Sequence, residues 1–411
     1  VLYLLLSTFR RPLGPGLNSV LPSGEKMSTK YAARVRGALL GGAIGDQLGA
    51  GVEFDPIEAI REKCGPDGVT RFIPSWGRRE GRFTDDTQMT LFVAEGLIRA
   101  DNQAWREGDC DPLVPLTDAH LRWLHTQGIP AEGENGVEAK GFGKVVSGWL
   151  VGHDVLHAER APGNTCLMGL KALPRDPLVP ARNASKGCGG VMRVAPVGLA
   201  FPIDWNPFEM AADFAGLTHG HPTGRLAAGA LAAIISELCV GAPLRAAIAT
   251  AVAELSDWEA ADETLAAIRS AVDLGGEVRS SGAAPTPERI ETVLGGGWIA
   301  EEALAIALAC ALVAEESHRT GASPEESFRA GVLLAVNHSG DSDSTGAICG
   351  NLLGARFGEA ALPSEWLADL EAAELIGTVA DDLARQFGSL WDEEAPTPEE
   401  FGPDLERSPP W

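Results

Sequence analysis

Two runs of glycine at four-residue spacing constrain this chain more than any other feature. Gly37, Gly41, Gly45 and Gly49 lie in "RGALLGGAIGDQLGAG", and Gly346, Gly350, Gly354 and Gly358 lie in "TGAICGNLLGARFG". A glycine inside a helix costs about 1 kcal/mol relative to alanine, so two such runs need a compensating contact. Residues four apart share one face of an α-helix. A face without side chains lets a second helix backbone approach closely. The pair of runs therefore predicts two central helices packed against each other. Membrane helix dimers use the same spacing, but Asp46, Asn351 and Arg356 interrupt these segments, and nothing elsewhere is apolar for long enough to span a bilayer.

Most of the remaining sequence also reads as helix. Segments such as "DTQMTLFVAEGLIRA", "GRLAAGALAAIISELCVG", "AEEALAIALACALVAEE" and "PEESFRAGVLLAVNHSG" carry apolar residues at three- and four-residue spacing and are rich in Ala and Leu. Alternating β-branched runs are scarce, and no fixed-period repeat or flexible linker breaks the pattern. The chain has 411 residues, 45% of them hydrophobic, enough to bury a large core. The reading is one all-α domain over residues 30–390. Residues 1–29 are expected to be a disordered leader or an early-assigned start, because their apolar run is too short for a signal peptide and lacks a small-residue cleavage site. Residues 391–411, polar and proline-rich, are expected to be a loosely held tail.

Charge and cysteine use narrow the function. The formal net charge of −24 disfavours phosphate backbones and anionic lipid surfaces as direct partners. Seven cysteines stand apart, with no CxxC pair, which points to a reducing cytoplasm without a disulfide framework or zinc knuckle. The expected oligomeric state is a monomer.

Acid is concentrated in three short stretches: "GDQLGAGVEF" with Asp46 and Glu53, "RFTDDTQM" with Thr84, Asp85 and Asp86, and "GDSDST" with Asp341, Asp343 and Ser344. The last two precede apolar-periodic runs, where a helix should start. Ser, Thr and Asp are favoured helix caps, and acids suit the first turn. Capping uses one side chain per helix, however, and here several carboxylates crowd together near tightly packed helices, where they repel. A hard cation resolves the crowding. Mg²⁺ takes about six oxygens at roughly 2.1 Å from carboxylates, hydroxyls and water. D-x-D-x-T also opens haloacid-dehalogenase-type phosphatase sites, but that motif needs a buried strand in an alternating α/β chain, and no such alternation is present.

Six motifs in this order, "GALLGGAIGDQLGAGVEF", "GRFTDDTQMTLFVAEGLI", "KGCGGVMRVAPVGLAF", "LTHGHPTG", "GGGWIAEEALAIAL" and "NHSGDSDSTGAICGNLLGARFG", together resemble the ADP-ribosylglycohydrolase family over about residues 32–390. The resemblance implies an all-α orthogonal helical bundle with a two-ion Mg²⁺ centre (sometimes Mn²⁺) that hydrolyses the glycosidic bond joining ADP-ribose to a modified acceptor. It implies that Thr84, Asp85, Asp86, Asp341, Asp343 and Ser344 are metal ligands, and that Glu53 approaches the ions. It further implies that the loop Ser185–Arg193, with Gly187, Gly189 and Gly190, holds the substrate pyrophosphate, and that His219 lies beside the ligand. Cys188 departs from the pattern, standing where several relatives carry Asn. A nucleophilic role for Cys188 lacks a positioned base.

Metal-assisted hydrolysis is the expected mechanism, with Glu53 and Asp341 as candidate proton carriers. The alternative is a non-catalytic ADP-ribose-binding or structural protein on the same scaffold. Retention of oxygen-bearing side chains at all six ligand positions favours the enzyme. The acceptor, whether arginine, serine, a nucleic-acid base or a small molecule, is not encoded in these motifs. "HTQGIPAEGENGVEAKGFGKVVSGW" is a guess for the mouth of the cleft. Trp298 fits either a place under the adenine or a place in the core.

Overall fold

The computed structural model describes residues 27–108, 110–129, 148–173, 179–200, 205–388 and 407–409. Much of the "HTQGIPAEGENGVEAKGFGKVVSGW" stretch, most of the leader and most of the tail lie outside them.

The described residues form an all-α structure; the only β-type pairings among them are two isolated bridges. In chain order the helices are α1 (Met27–Gly49), α2 (Ile57–Cys64), α3 (Asp85–Glu107), α4 (Leu113–Thr126), α5 (Asn164–Lys171), α6 (Ala195–Leu199), α7 (Pro207–Gly216), α8 (Pro222–Cys239), α9 (Leu244–Leu255), α10 (Asp262–Gly276), α11 (Val278–Ser281), α12 (Pro287–Leu294), α13 (Ala300–Arg319), α14 (Pro324–Val336), α15 (Ser342–Phe357), α16 (Ser364–Asp369) and α17 (Ala373–Gly388). Local chemistry sets many of the starts. Asn206, Thr286 and Ser323 cap α7, α12 and α14 with their side chains, and Ser323 with Glu326 completes a capping box.

The glycine runs do what their spacing predicts. α1 and α15 run antiparallel with backbone against backbone. A Cβ at Gly37 would lie 2.5 Å from the Gly354 carbonyl oxygen, and one at Gly41 would lie 2.7 Å from that of Gly350. Gly45 meets Gly346, and Gly49 meets Ser342, in the same way. Asn351 closes the seam laterally by donating from Nδ2 to the Ala38 carbonyl at 2.9 Å. Gly358 lies just past the end of α15 at φ 80°, where it stops the helix while its backbone still meets Gly37, a Cβ on Gly37 lying 2.6 Å from the Gly358 carbonyl carbon. Arg36 then ties α1 to that end through two hydrogen bonds to the Glu359 carboxylate, at 2.7 and 2.9 Å.

Around this pair, α17 packs along α1, α14 packs along α15, and α13 packs on α14, α15 and α10. α3 is buried on every side from Asp85 to Ala100, as is expected of a helix at the centre of a bundle. The antiparallel arrangement brings the C-terminal end of α1 beside the N-terminal end of α15, and α3 starts there too. All three acidic stretches thus arrive at one end of the core.

Candidate active site

The start of α3 is held by a carboxylate from α1. Asp46 accepts from the Thr84 amide at 2.8 and 3.0 Å, from the Thr87 amide at 3.0 Å and from the Thr87 hydroxyl at 2.5 Å. Thr84 caps the helix, its Oγ1 accepting from the Asp86 amide at 3.3 Å. Capping and crowding therefore coexist: Thr84 and Asp46 satisfy the helix end, and Asp85 and Asp86 are surplus to it. Asp85 is buried and accepts a long bond from the Gly163 amide, 3.4 Å. Asp86 is buried, and its Oδ1 has no hydrogen-bond partner among the described residues.

α15 starts in the same fashion. Asp341 is its cap, with Oδ1 accepting from the Ser344 amide at 3.3 Å, while its own amide donates to the Gly296 carbonyl at 2.8 Å. Asp343 accepts from the Ser344 amide at 3.0 Å. The Ser344 hydroxyl is buried against the Met192 sulfur at 3.7 Å. Asp341 and Asp343 open a helix and do not end a strand, which disposes of the phosphatase comparison. Glu53, in the turn after α1, completes the group. One oxygen from each of Glu53, Asp341 and Asp343 lies within 4.8 Å of the others. The two aspartates are buried, and Glu53 is half-buried.

Electrostatics mark this cluster as incomplete. Burial, followed by the charge of Asp343, pushes the carboxyls of Asp46, Glu53, Asp85, Asp86 and Asp341 above the ordinary carboxylate range. Asp343 is raised by burial as well. No Lys or Arg is paired with any of them among the described residues. Crowded, buried, one-signed oxygens, with an Asp86 Oδ1 that has no partner among the described residues, are a donor set that could hold a hard divalent cation. The residues present fit such an ion. Asp85, Asp86, Asp341 and Asp343 would hold it, with Thr84 and Ser344 offering hydroxyls.

The glycine loop borders the cluster. Gly187 forms an isolated antiparallel bridge with Ile299, the Cys188 amide donating to the Trp298 carbonyl at 3.2 Å and the Ala300 amide to the Lys186 carbonyl at 2.8 Å. Ser185 is half-buried, its hydroxyl 3.0 Å from that of Thr165. The Cys188 sulfur lies 2.8 Å from Asp341 Oδ2. Burial and then Asp341 push that thiol up, so it stays protonated and is no nucleophile at neutral pH. His219 sits behind the loop, fully buried. Cβ atoms on Gly187, Gly189 or Gly190 would lie 3.3–3.5 Å from its ring. Its Nδ1 meets the Thr218 hydroxyl at 2.8 Å, and burial, then Arg193, lower its pKa to about 3, so the ring is neutral.

Sequence reasoning missed three features. Asp46 was grouped with the acids, but its holding of α3 went unseen. The signal was a carboxylate inside a glycine seam, which must find donors. Phe54 and Trp298 stack at the rim, with ring centroids 5.2 Å apart and planes 19° from parallel, and both are exposed, so Trp298 is not a core residue. The extreme tail is also not free throughout: Arg407 pairs with Asp382, and the Ser408 carbonyl accepts from Asn102 at 2.8 Å.

The chain resembles known proteins over most of its length. The model of the family described as ADP-ribosylglycohydrolase matches residues 27–393. The ADP-ribosyl-[dinitrogen reductase] glycohydrolase of Rhodospirillum rubrum is 24% identical over 366 residues, covering 87% of this chain and 95% of the relative. The ADP-ribosylhydrolase ARH3 of Mus musculus is 25% identical, covering 88% of this chain and 93% of the relative. A solved structure titled as an ADP-ribosylglycohydrolase-related protein complex superposes with a TM-score of 0.55 at 26% identity, over 87% of this chain and 99% of the other.

Proposed function

The chain belongs to the ADP-ribosylglycohydrolase family, a family of glycosidases, and from that premise we propose that it hydrolyses the N- or O-glycosidic bond between ADP-ribose and a modified acceptor at the mouth beside Glu53, with two Mg²⁺ (or Mn²⁺) ions as cofactors. One observation carries the reading. Carboxylates remote in sequence, Glu53, Asp341 and Asp343, meet within 4.8 Å near a buried Asp86 Oδ1 that has no partner among the described residues. A scaffold kept only for binding or structure would gain stability by losing such crowding.

Divalent ions bound there would neutralise the carboxylates and supply Lewis acidity to the ribose and to water. The chain's own residues divide the remaining work. Asp46 fixes the start of α3, and Thr84 and Asp341 fix the two helix ends that carry the ligands. Glu53 is the half-buried member of the three-carboxylate group, so it can exchange a proton with solvent and with the attacking water or leaving group. Asp341 is buried and engaged by Cys188 and the Ser344 amide, which suits holding more than shuttling. The developing oxocarbenium charge is stabilised by the surrounding carboxylates. The Gly187–Gly190 loop, half-buried at Gly187 and Cys188, is the segment whose backbone amides would meet a pyrophosphate.

None of the seven cysteines is in a disulfide, in keeping with a reducing compartment, and among the described residues no helix is long and apolar enough to cross a membrane. The decisive experiment is release of free ADP-ribose from arginine-, serine- and DNA-linked substrates, with Mg²⁺ and with EDTA. Metal-dependent release from at least one is expected. Tight ADP-ribose binding in calorimetry without any release would establish the binding-protein alternative.

A further inference from the structure

The segment between α12 and α13 touches all three parts of the candidate site. Its Gly296 carbonyl accepts from the Asp341 amide at 2.8 Å, its Trp298 carbonyl accepts from the Cys188 amide at 3.2 Å, and the Trp298 ring stacks on Phe54, next to Glu53. A single side chain holds this turn from behind. One carboxylate oxygen of Glu302, in the first turn of α13, accepts from the Gly296 amide at 3.1 Å and the Gly297 amide at 3.2 Å. The packing leaves no slack. Gly295 has φ 90°, and a Cβ there would run into the Glu302 carboxylate. Gly297 has φ 85°, and a Cβ there would lie 2.9 Å from Thr345 Cγ2 and 3.3 Å from Asp341 Cβ. Gly340 at φ 149° is pressed against the Gly296 carbonyl.

We infer that Glu302 is a positioning residue: through the Gly296–Gly297 turn it sets the place of Asp341 and, through Trp298, of the glycine loop and the Glu53 turn. The path is a chain of bonds, from the Glu302 carboxylate to the Gly296 and Gly297 amides and from the Gly296 carbonyl to the Asp341 amide. Glu302 itself is directed at backbone amides and contributes no ligand. This inference rests on the metal-dependent reading above. Outer partners that orient ligands typically change metal affinity by about 10–100-fold when removed.

The test is Mn²⁺ binding to the full chain, followed by loss of the free-ion EPR signal, in wild type, Glu302→Ala and Glu302→Gln. Glu302→Ala is expected to weaken Mn²⁺ binding by about tenfold or more. Glu302→Gln keeps an acceptor oxygen and should stay within about threefold of wild type. Ser323→Ala removes the capping box at the far end of α14, about 20 Å away along a helix rising ~1.5 Å per residue, and lowers stability without changing Mn²⁺ affinity. Should Glu302→Ala fail to fold, Glu302→Asp, which draws the carboxylate back from the turn, is expected to give a partial loss. Glu302→Ala within twofold of wild type overturns the inference and leaves the proposed function standing. So does Glu302→Gln as weak as Glu302→Ala, since charge and not bonding would then be at work. A wild type that binds no Mn²⁺ removes the centre itself and the positioning role with it.

Discussion

Buried carboxylates occur in two kinds of place in this protein, and the contrast separates architecture from chemistry. Glu371 is buried and gripped by Arg160 and Arg82, and Arg160 also donates to the Phe83 carbonyl at 3.0 Å. This ion pair latches the segment before α17 to the strand of chain that leads into α3. At the starts of α3 and α15, Asp85, Asp86, Asp341 and Asp343 are equally buried, and none is paired with a Lys or Arg among the described residues. In the first place the chain supplies both charges, and the charges hold elements together. In the second it supplies one sign only, and the missing sign must come from outside. A buried charge without a partner costs several kcal/mol, so the second region makes sense as a site and not as a fastening.

The contrast can be broken experimentally. The largest effect belongs to the unpaired region. Asp86→Ala is expected to lower turnover on the order of 10⁴-fold, about 5 kcal/mol of barrier, while melting in EDTA at the same temperature as wild type or above it, because a repelled carboxylate has gone. A lower melting point in EDTA would show that Asp86 is a structural acid. The paired region should respond oppositely. Glu371→Ala strands two guanidinium groups and is expected to cost about 3–5 kcal/mol in denaturant unfolding, with or without Mg²⁺. Addition of Mg²⁺ sharpens the difference further. At a hundredfold excess over Kd it should stabilise wild type by roughly 2.7 kcal/mol and Asp86→Ala by almost nothing; equal shifts would place the ion elsewhere.

Smaller effects come from other titratable groups, buried or half-buried in the bundle. His120 has no hydrogen-bond partner at either ring nitrogen among the described residues and lies against Phe214. Burial, then Arg193 and Arg122, hold its pKa well below the ordinary value. His338 is lowered to about 4, chiefly by burial. These rings fold neutral, so their contribution is present above an unfolded pKa near 6.5 and is lost as pH falls below it, by up to about 2 kcal/mol each at pH 5. His120→Leu should flatten the decline between pH 6.5 and 5 in denaturant titrations. Asp101 has the opposite sign. Burial, opposed by the Gln386 amide at 2.6 Å, raises it to about 6. Its contribution is complete below about pH 4 and is lost as pH rises through 6, so Asp101→Asn should stabilise the protein by on the order of 1–2 kcal/mol at pH 7.5 and leave it unchanged at pH 4.

Much of this was legible because it is local or periodic. Gly41 and Gly45 announce a helix face four residues apart, and Thr84 and Asp341 announce helix starts by their type. The surplus of Asp85, Asp86 and Asp343 over what capping uses announced a site. The features that stayed hidden depend on which surfaces meet. Nothing near Asp46 says that it will hold Thr84 and Thr87, which lie 38 and 41 residues away. Nothing near Trp298 says that it will leave the core and stack on Phe54. Glu302 looks like any acid in a first helical turn until the Gly296–Gly297 amides are seen against it.

The amino-acid sequence by itself determined the helices, the glycine-faced pair at their centre and the supply of carboxylates, because periodicity, capping and backbone cost act within a few residues. Only the tertiary structure decided that those carboxylates converge, that Glu53 is half-buried while Asp341 is buried, and that His219 lies behind the loop. These are outcomes of packing between distant segments, where the choice of partner is set by the whole core and by no single stretch of chain.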